Sequence, residues 1–227
     1  MIGHRANAPR ILKWYLKIGV PVIEVDVRYV NGEFLVLHGP SSIRRASIPG
    51  KIMAWIDYHF FYRDPLLRRV KLVEVLEKIS GKADINLDIK QQGFERELLN
   101  LIDDVGFKGR VYVSSEIHPI LKRIKELSNK TITIASLNIL PVNPVDVVLS
   151  SKADMVSIHV GIVSKKLVTQ FHDVGIKTIT WTVNDKKTLL KQVKIGVNGV
   201  VTDRPDIVLS VVKNMKAFSQ SEVEKIL

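Results

Sequence analysis

Ile176-Lys177-Thr178-Ile179-Thr180-Trp181 is a short β-branched run, residues 186–195 carry apolar side chains at helical spacing, and Asn198-Gly199-Val200-Val201-Thr202 is a second strand-like run. The two runs begin 22 residues apart. A strand, a helix and two short loops fill that length. Parallel strands require such a crossover, because a tight turn cannot connect them. The unit recurs upstream: runs beginning near Asp84, Gly109, Thr131, Asp154, Ile176 and Asn198 are spaced by 25, 22, 23, 22 and 22 residues. Helix-period segments at 94–105, 119–127, 144–151 and 165–174 lie between them.

Two further strands are expected at residues 1–4 and from Val22, with a helix over 9–18 that stops at Gly19. Eight strands in this rhythm predict a closed (β/α)₈ TIM barrel forming one domain over residues 1–227. The rival is an open doubly wound sheet. It usually opens on a Gly-rich turn, whereas the first turn here is His4-Arg5-Ala6-Asn7-Ala8.

The period breaks once. Val22 and Asp84 are 62 residues apart, one unit plus a surplus. Residues 39–69 carry Pro40, Pro49, Gly50 and Pro65 and read as a small insertion over the barrel mouth after the second strand, with 70–79 as the following barrel helix. The aromatics Trp55, Tyr58, Phe60, Phe61 and Tyr62 either wall an apolar substrate tail or form the insertion's own core. Just before it, Asn31-Gly32 separates two alternating runs, 22–30 and 33–38. That dipeptide predicts a hairpin, because a type I′ turn needs positive φ at both central positions.

Composition narrows the chemistry. The 227 residues include no cysteine, which excludes disulfides and thiolate zinc sites. Any metal must sit on carboxylates, imidazoles or backbone oxygens, favouring Mg²⁺ or Ca²⁺. The formal net charge is +11, which attracts anionic partners or reflects a lysine-rich solvated surface. The lysines are scattered and no basic stripe is interleaved with aromatics, so no nucleic-acid partner is expected. No apolar run approaches the roughly 20 residues of a membrane span, and Met-Ile-Gly-His-Arg lacks the features of a signal peptide; the expected location is the cytoplasm.

Strand periodicity places Glu24, Asp26 and Arg28 on one face of the second strand and Asp84, Asn86, Asp88 and Lys90 on one face of the third. Carboxylates turned into a barrel must be compensated. A divalent cation would do so, and so would an ion-pair network with Arg5, Arg28 and Lys90. His4 and Arg5 fall at the end of the first strand, the mouth where barrel catalytic groups gather. His38 ends the hairpin, on a flat register that pairs it with Val25, away from the acids. Two imidazoles there can serve as acid and base. His59, His118, His159 and His172 are weaker candidates, and Trp181 is either an apolar wall for a small polyol or a core residue.

Taken together these segments resemble the glycerophosphodiester phosphodiesterase family of phospholipase C-like barrels. The markers are His4-Arg5, Glu24-x-Asp26, the hairpin to His38, Leu87-Asp88-Ile89-Lys90, Trp181-Thr182-Val183-Asn184 and 196–205 with Thr202-Asp203-Arg204-Pro205. The resemblance implies that Glu24, Asp26 and Asp88 hold Mg²⁺ or Ca²⁺, with Mn²⁺ as an alternative. Arg5 and Lys90 would bind phosphate oxygens, Trp181 the glycerol carbons, and His4 and His38 would be base and acid. The implied reaction converts a glycerophosphodiester, by way of a cyclic phosphate, to glycerol 3-phosphate and an alcohol, in lipid and glycerol metabolism. The expected partner is a small phosphodiester, with peripheral lipid contact compatible with it. Three positions depart from the family: Pro9-Arg10-Ile11-Leu12 replaces Pro-Glu-Asn-Thr, Gly39 replaces an Asp, and Asp88 replaces a Glu. They motivate the alternative of a degenerate barrel that binds a phosphorylated ligand or lipid surface without turnover.

Overall fold

The computed structural model describes residues 1–37 and 70–217. Alternating runs become strands β1 (Ile2–Gly3), β2 (Val22–Val30), β3 (Glu33–Val36), β4 (Asp84–Ile89), β5 (Val111–Ser115), β6 (Ile132–Leu137), β7 (Met155–His159), β8 (Lys177–Trp181) and β9 (Gly199–Thr202). The segments of helical period become α1 (Pro9–Lys17), α2 (Leu72–Ile79), α3 (Glu95–Val105), α4 (His118–Leu127), α5 (Pro144–Ser150), α6 (Lys165–Asp173) and α7 (Lys186–Lys194), followed by α8 (Pro205–Ala217). All but the last were expected within about two residues of these ends, the usual spread at helix termini.

Every strand except β3 pairs in parallel with its neighbours, and β1 bonds to both β9 and β2, which closes an eight-stranded barrel. This is the expected (β/α)₈ TIM barrel. The outward face of β2, with Ile23, Val25 and Val27, is fully buried and joins Leu72, Leu76 and Ile79 of α2 in the main core. Inside, Ile2, Val22, Ile134, Ile179 and Val201 form a separate apolar plug beneath the mouth. Two packed layers thus leave only the ends of the strands open to chemistry.

β3 is the return arm of the predicted hairpin. Asn31 and Gly32 have φ of +53° and +83°, and Val30 pairs with Glu33, Tyr29 with Phe34 and Val27 with Val36. Pairing continues to Leu37, whose N–H donates to the Asp26 carbonyl at 3.1 Å. His38, the proposed insertion at 39–69 and its aromatic cluster lie outside the described residues. Among the described residues no helix is long and apolar enough to cross a membrane.

The short β1 tolerates no added bulk. A Cβ on Gly3 would lie 2.7 Å from the Tyr15 ring and 2.9 Å from Val20. Tyr15 is itself fixed, buried and donating its hydroxyl to the His4 carbonyl at 2.8 Å. Gly3→Ala must therefore push α1 off the barrel, at a cost of about 1–3 kcal/mol. In thermal unfolding this lowers Tm by roughly 3–10 °C; an unchanged Tm would show that α1 has slack against β1.

Candidate active site

The acids of β2 and β4 meet because of the strand register. Asp26 lies opposite Asp88 and Glu24 opposite Asn86. Period-two alternation turns Glu24, Asp26 and Asp88 inward, and one carboxylate oxygen from each falls within 4.8 Å of the others. Glu24 and Asp26 are almost wholly buried. Burial raises the Glu24 pKa well above the usual carboxylate range, helped by the charges of Asp26 and Asp88, while the Arg5 N–H bond and Lys90 pull it back. Burial also raises Asp88 above its ordinary value, against the opposing pull of Lys90.

The neighbours of the cluster are specific. Lys90 Nζ contacts Asp88 and lies 3.1 Å from Asp26. Burial alone would lower the Lys90 pKa, but Asp88 and Asp26 more than offset it and keep the ammonium charged. The Asn7 side chain donates to Asp26 Oδ2 at 2.7 Å and accepts from the Asp26 backbone N–H at 3.0 Å. The Arg5 backbone N–H donates to Glu24 at 2.5 Å, from a residue held at φ +51°. A non-glycine residue in the left-handed region is strained, and such strain persists where surrounding contacts demand it. Ser114 donates to Asp88 at 3.2 Å and accepts from Asn86 at 3.0 Å.

His4 approaches from the barrel seam. Its N–H donates to the Thr202 carbonyl at 2.8 Å, and its Nδ1 lies 2.8 Å from Asp203 Oδ1. Asp203 is fixed in turn by Asn184, which donates from its amide to Oδ2 at 2.8 Å and accepts from the Asp203 N–H at 2.9 Å. Burial would raise the Asp203 pKa, but the His4 bond and charge and the Asn184 amide prevail and hold it below the usual range. An ionised carboxylate only accepts, so Nδ1 carries a proton, and in the neutral imidazole the lone pair falls on Nε2.

A cavity of about 250 Å³ opens at the mouth, and His4, Arg5, Glu24, Asp26, Asp88, Lys90 and Trp181 all line it. These are all the expected site residues except His38, which lies outside the described residues. Ser114, Glu116, Ser136, Asn138 and Ser157 also line the cavity. The Trp181 indole N–H is buried without a hydrogen-bond partner among the described residues, and His159 meets the ring edge-on at 5.1 Å. Asp84, on the same strand face as Asp88, does not join the site: at the far end of β4 it pairs with Arg110 at 2.8 Å. His118 opens α4 with Nε2 3.3 Å from the Ser136 carbonyl, and His172 is exposed and bonded to Asn198.

Asn7, Asn184 and Asp203 acquire parts here that the sequence reading left unassigned. Asn184 and Asp203 close the runs at 181–184 and 202–205, at strand ends that face the mouth, but no sequence pattern pairs Asp203 with His4.

The model of the glycerophosphoryl diester phosphodiesterase family matches residues 15–207. A glycerophosphodiester phosphodiesterase of Caldanaerobacter subterraneus subsp. tengcongensis is 24% identical over 246 residues, covering 94% of this chain and 97% of that protein. One from Bacillus altitudinis is 26% identical over 241 residues, with the same coverage of 94% and 97%. The fold is similar to that of an Oleispira antarctica phosphodiesterase solved with the product sn-glycerol-3-phosphate, at TM-score 0.75 and 21% identity, covering 93% of this chain and 96% of that one. By the span of the family match and the side chains gathered at its mouth, this barrel belongs to the glycerophosphoryl diester phosphodiesterase family.

Proposed function

We propose that the chain hydrolyses glycerophosphodiesters to glycerol 3-phosphate and an alcohol, with a divalent cation at Glu24, Asp26 and Asp88. The observation that carries the reading is the convergence of three carboxylates on one point beside an imidazole whose Nδ1 is tethered to Asp203. The names of the relatives and the product bound to the Oleispira antarctica protein support the substrate class.

The donor set fits a hard cation. All three groups offer oxygen, as Mg²⁺ and Ca²⁺ prefer, and Mn²⁺ is the alternative. Asp88, shorter than the family's usual Glu, still brings an oxygen within 4.8 Å of the other two. Bound there, the ion supplies positive charge to the phosphoryl oxygens as negative charge builds on them.

The chain's own groups supply the rest. Arg5 and Lys90 line the same cavity as cations for the remaining phosphate oxygens. His4 Nε2, the nitrogen turned away from the Asp203 tether, takes the proton from the attacking glycerol 2-hydroxyl. Phosphorus bonds that oxygen, and the bond to the departing alcohol breaks. His38 protonates the departing oxygen. Water then opens the cyclic phosphate with the two imidazoles exchanging roles. Trp181 walls the glycerol carbons. These products belong to lipid and glycerol breakdown. Asn7 and Asp203 brace the site where the departing Pro9-Arg10 stretch supplies no Glu, which favours turnover over a binding-only barrel.

A coupled assay for glycerol 3-phosphate over a panel of glycerophosphodiesters should show turnover that EDTA abolishes and Mg²⁺ or Ca²⁺ restores. His4→Ala should lower kcat by about 10²–10⁴-fold. Silence across the panel with Mg²⁺, Ca²⁺ and Mn²⁺ supplied would refute the reading.

Asp203→Asn keeps the shape but removes the charge that selects the His4 tautomer. Its expected effect is a fall in kcat on the order of tenfold or more, with KM little changed. A drop in affinity alone would assign Asp203 to binding.

The buried acids also give a pH signature. A carboxyl whose folded pKa is raised contributes stability that is complete below its unfolded value, about 4.3 for Glu, and is lost as pH rises through the folded value. In EDTA the wild-type Tm should fall from roughly pH 5 toward pH 8 more steeply than that of Glu24→Gln, and Mg²⁺ or Ca²⁺ should flatten the wild-type slope. Parallel slopes in EDTA would mean that Glu24 ionises in the barrel without cost.

A further inference from the structure

The loop at 138–143, between β6 and α5, exposes Ile139, Leu140 and Val142 to 81%, 44% and 97%. Single exposed apolar residues are ordinary on a protein surface, but a run broken only by Pro141 is not. Asn138, the first residue of the loop, lines the cavity, so the apolar run stands on the rim of the mouth.

The next two βα turns on that rim carry charge. α6 opens with Lys165 and Lys166 and α7 with Lys186 and Lys187, all exposed; neither first turn contains an acid, although Asp185 caps α7 and Asp146 lies in the first turn of α5. The positive end of a helix dipole disfavours cations at those positions and favours Asp or Glu. The α6 pair runs against that gradient with no acid at its cap or in its first turn, while Asp185 at the cap of α7 partly answers the second pair. None of the four lines the cavity.

We propose that this rim docks on an anionic phospholipid bilayer, with residues 139–142 entering the headgroup layer and the lysine pairs meeting lipid phosphates. A bilayer satisfies both features at once. A nucleic acid would match the lysines and leave Ile139 and Val142 in water. An apolar protein partner would cover the loop and strand the lysines. The net charge of +11 adds a longer-range attraction of the same sign. Docking in this pose turns the mouth toward the surface from which phosphodiesters of glycerol originate. The docking itself needs no turnover, so it stands or falls separately from the catalytic reading.

The test is cosedimentation of the full chain with vesicles of phosphatidylglycerol mixed with phosphatidylcholine, beside vesicles of phosphatidylcholine alone. Binding is expected to the anionic vesicles and to weaken with added salt. A lysine near such a surface strengthens binding about fivefold, so Lys165→Ser/Lys166→Ser/Lys186→Ser/Lys187→Ser should weaken it about tenfold or more. Ile139→Ser/Val142→Ser should weaken it as well. Both variants should keep the wild-type Tm and the wild-type turnover of a water-soluble diester, which separates lost docking from lost fold. Absence of binding to anionic vesicles, equal binding to uncharged ones, or variants that bind like the wild type would overturn the proposal. So would a dimer in sedimentation that Ile139→Ser/Val142→Ser dissolves, because the loop would then belong to a second copy of the chain.

Discussion

Like charges forced together inside a closed barrel set the terms for the rest of the mouth. Glu24, Asp26 and Asp88 are brought within 4.8 Å by a register that no side chain can alter without moving a strand. Their repulsion and desolvation must be answered locally, since the interior screens poorly. The answers include the Lys90 ammonium between Asp88 and Asp26, the Asn7 amide clasping Asp26, the Ser114 hydroxyl on Asp88 and the Arg5 N–H on Glu24. Against Lys90 alone the three carboxylates keep an excess of negative charge, which Arg5 at the same cavity lessens and a divalent cation would balance; burial and the neighbouring carboxylates push the Glu24 pKa up. The strained φ at Arg5 is intelligible on the same ground. The backbone bends to deliver a donor that the cluster requires.

The base at His4 depends on barrel closure in a different way. β1 is only two residues long, and its partner β9 supplies both the Thr202 carbonyl that receives the His4 N–H and, one residue later, the Asp203 carboxylate that orients its ring. His4 and Asp203 are 199 residues apart in the chain. Gly3 lets Tyr15 of α1 pack against this seam, and the Tyr15 hydroxyl holds the His4 carbonyl. Helix packing, strand pairing and the imidazole tautomer are thus linked through adjacent residues.

The barrel and most of its mouth were legible from two periodicities, about 22 residues for the βα unit and two for side-chain alternation. The first works because each unit must pack one helix on one strand, and the second because a strand has two faces. Their limits are equally physical. Alternation assigns a face but not a height, so Asp84 and Asp88 look equivalent in sequence although one meets Arg110 at the far end of β4 and the other meets Lys90 at the mouth. Alternation also says nothing of who faces whom across the closure, so the Asp203–His4 contact could not be read. Asn7 sits in a turn, outside either period, and its role exists only through Asp26. The hairpin at Asn31-Gly32 was readable because a local backbone requirement determined it; its far end at His38 lies outside the described residues.

The mouth is divided by these constraints. Strands β1, β2, β4 and β9 carry the three clustered acids, the imidazole and its tether, while β5, β6 and β7 present Ser114, Ser136 and Ser157 to the same cavity, with Glu116 just after β5. The apolar loop and the first lysine pair rise from the serine half, after β6 and β7, and the second pair follows β8. This placement matters for any anionic surface. An excess of negative charge at Glu24, Asp26 and Asp88 would repel a bilayer that approached the mouth squarely, but such repulsion fades beyond a Debye length of roughly 8–10 Å. In the proposed docking, lysines grouped on the far side of the opening would tilt the barrel so that the acids stand back from the surface while the serine wall and the cavity entrance face it. Attraction and catalysis can then coexist on one rim because the barrel assigns them to different strands.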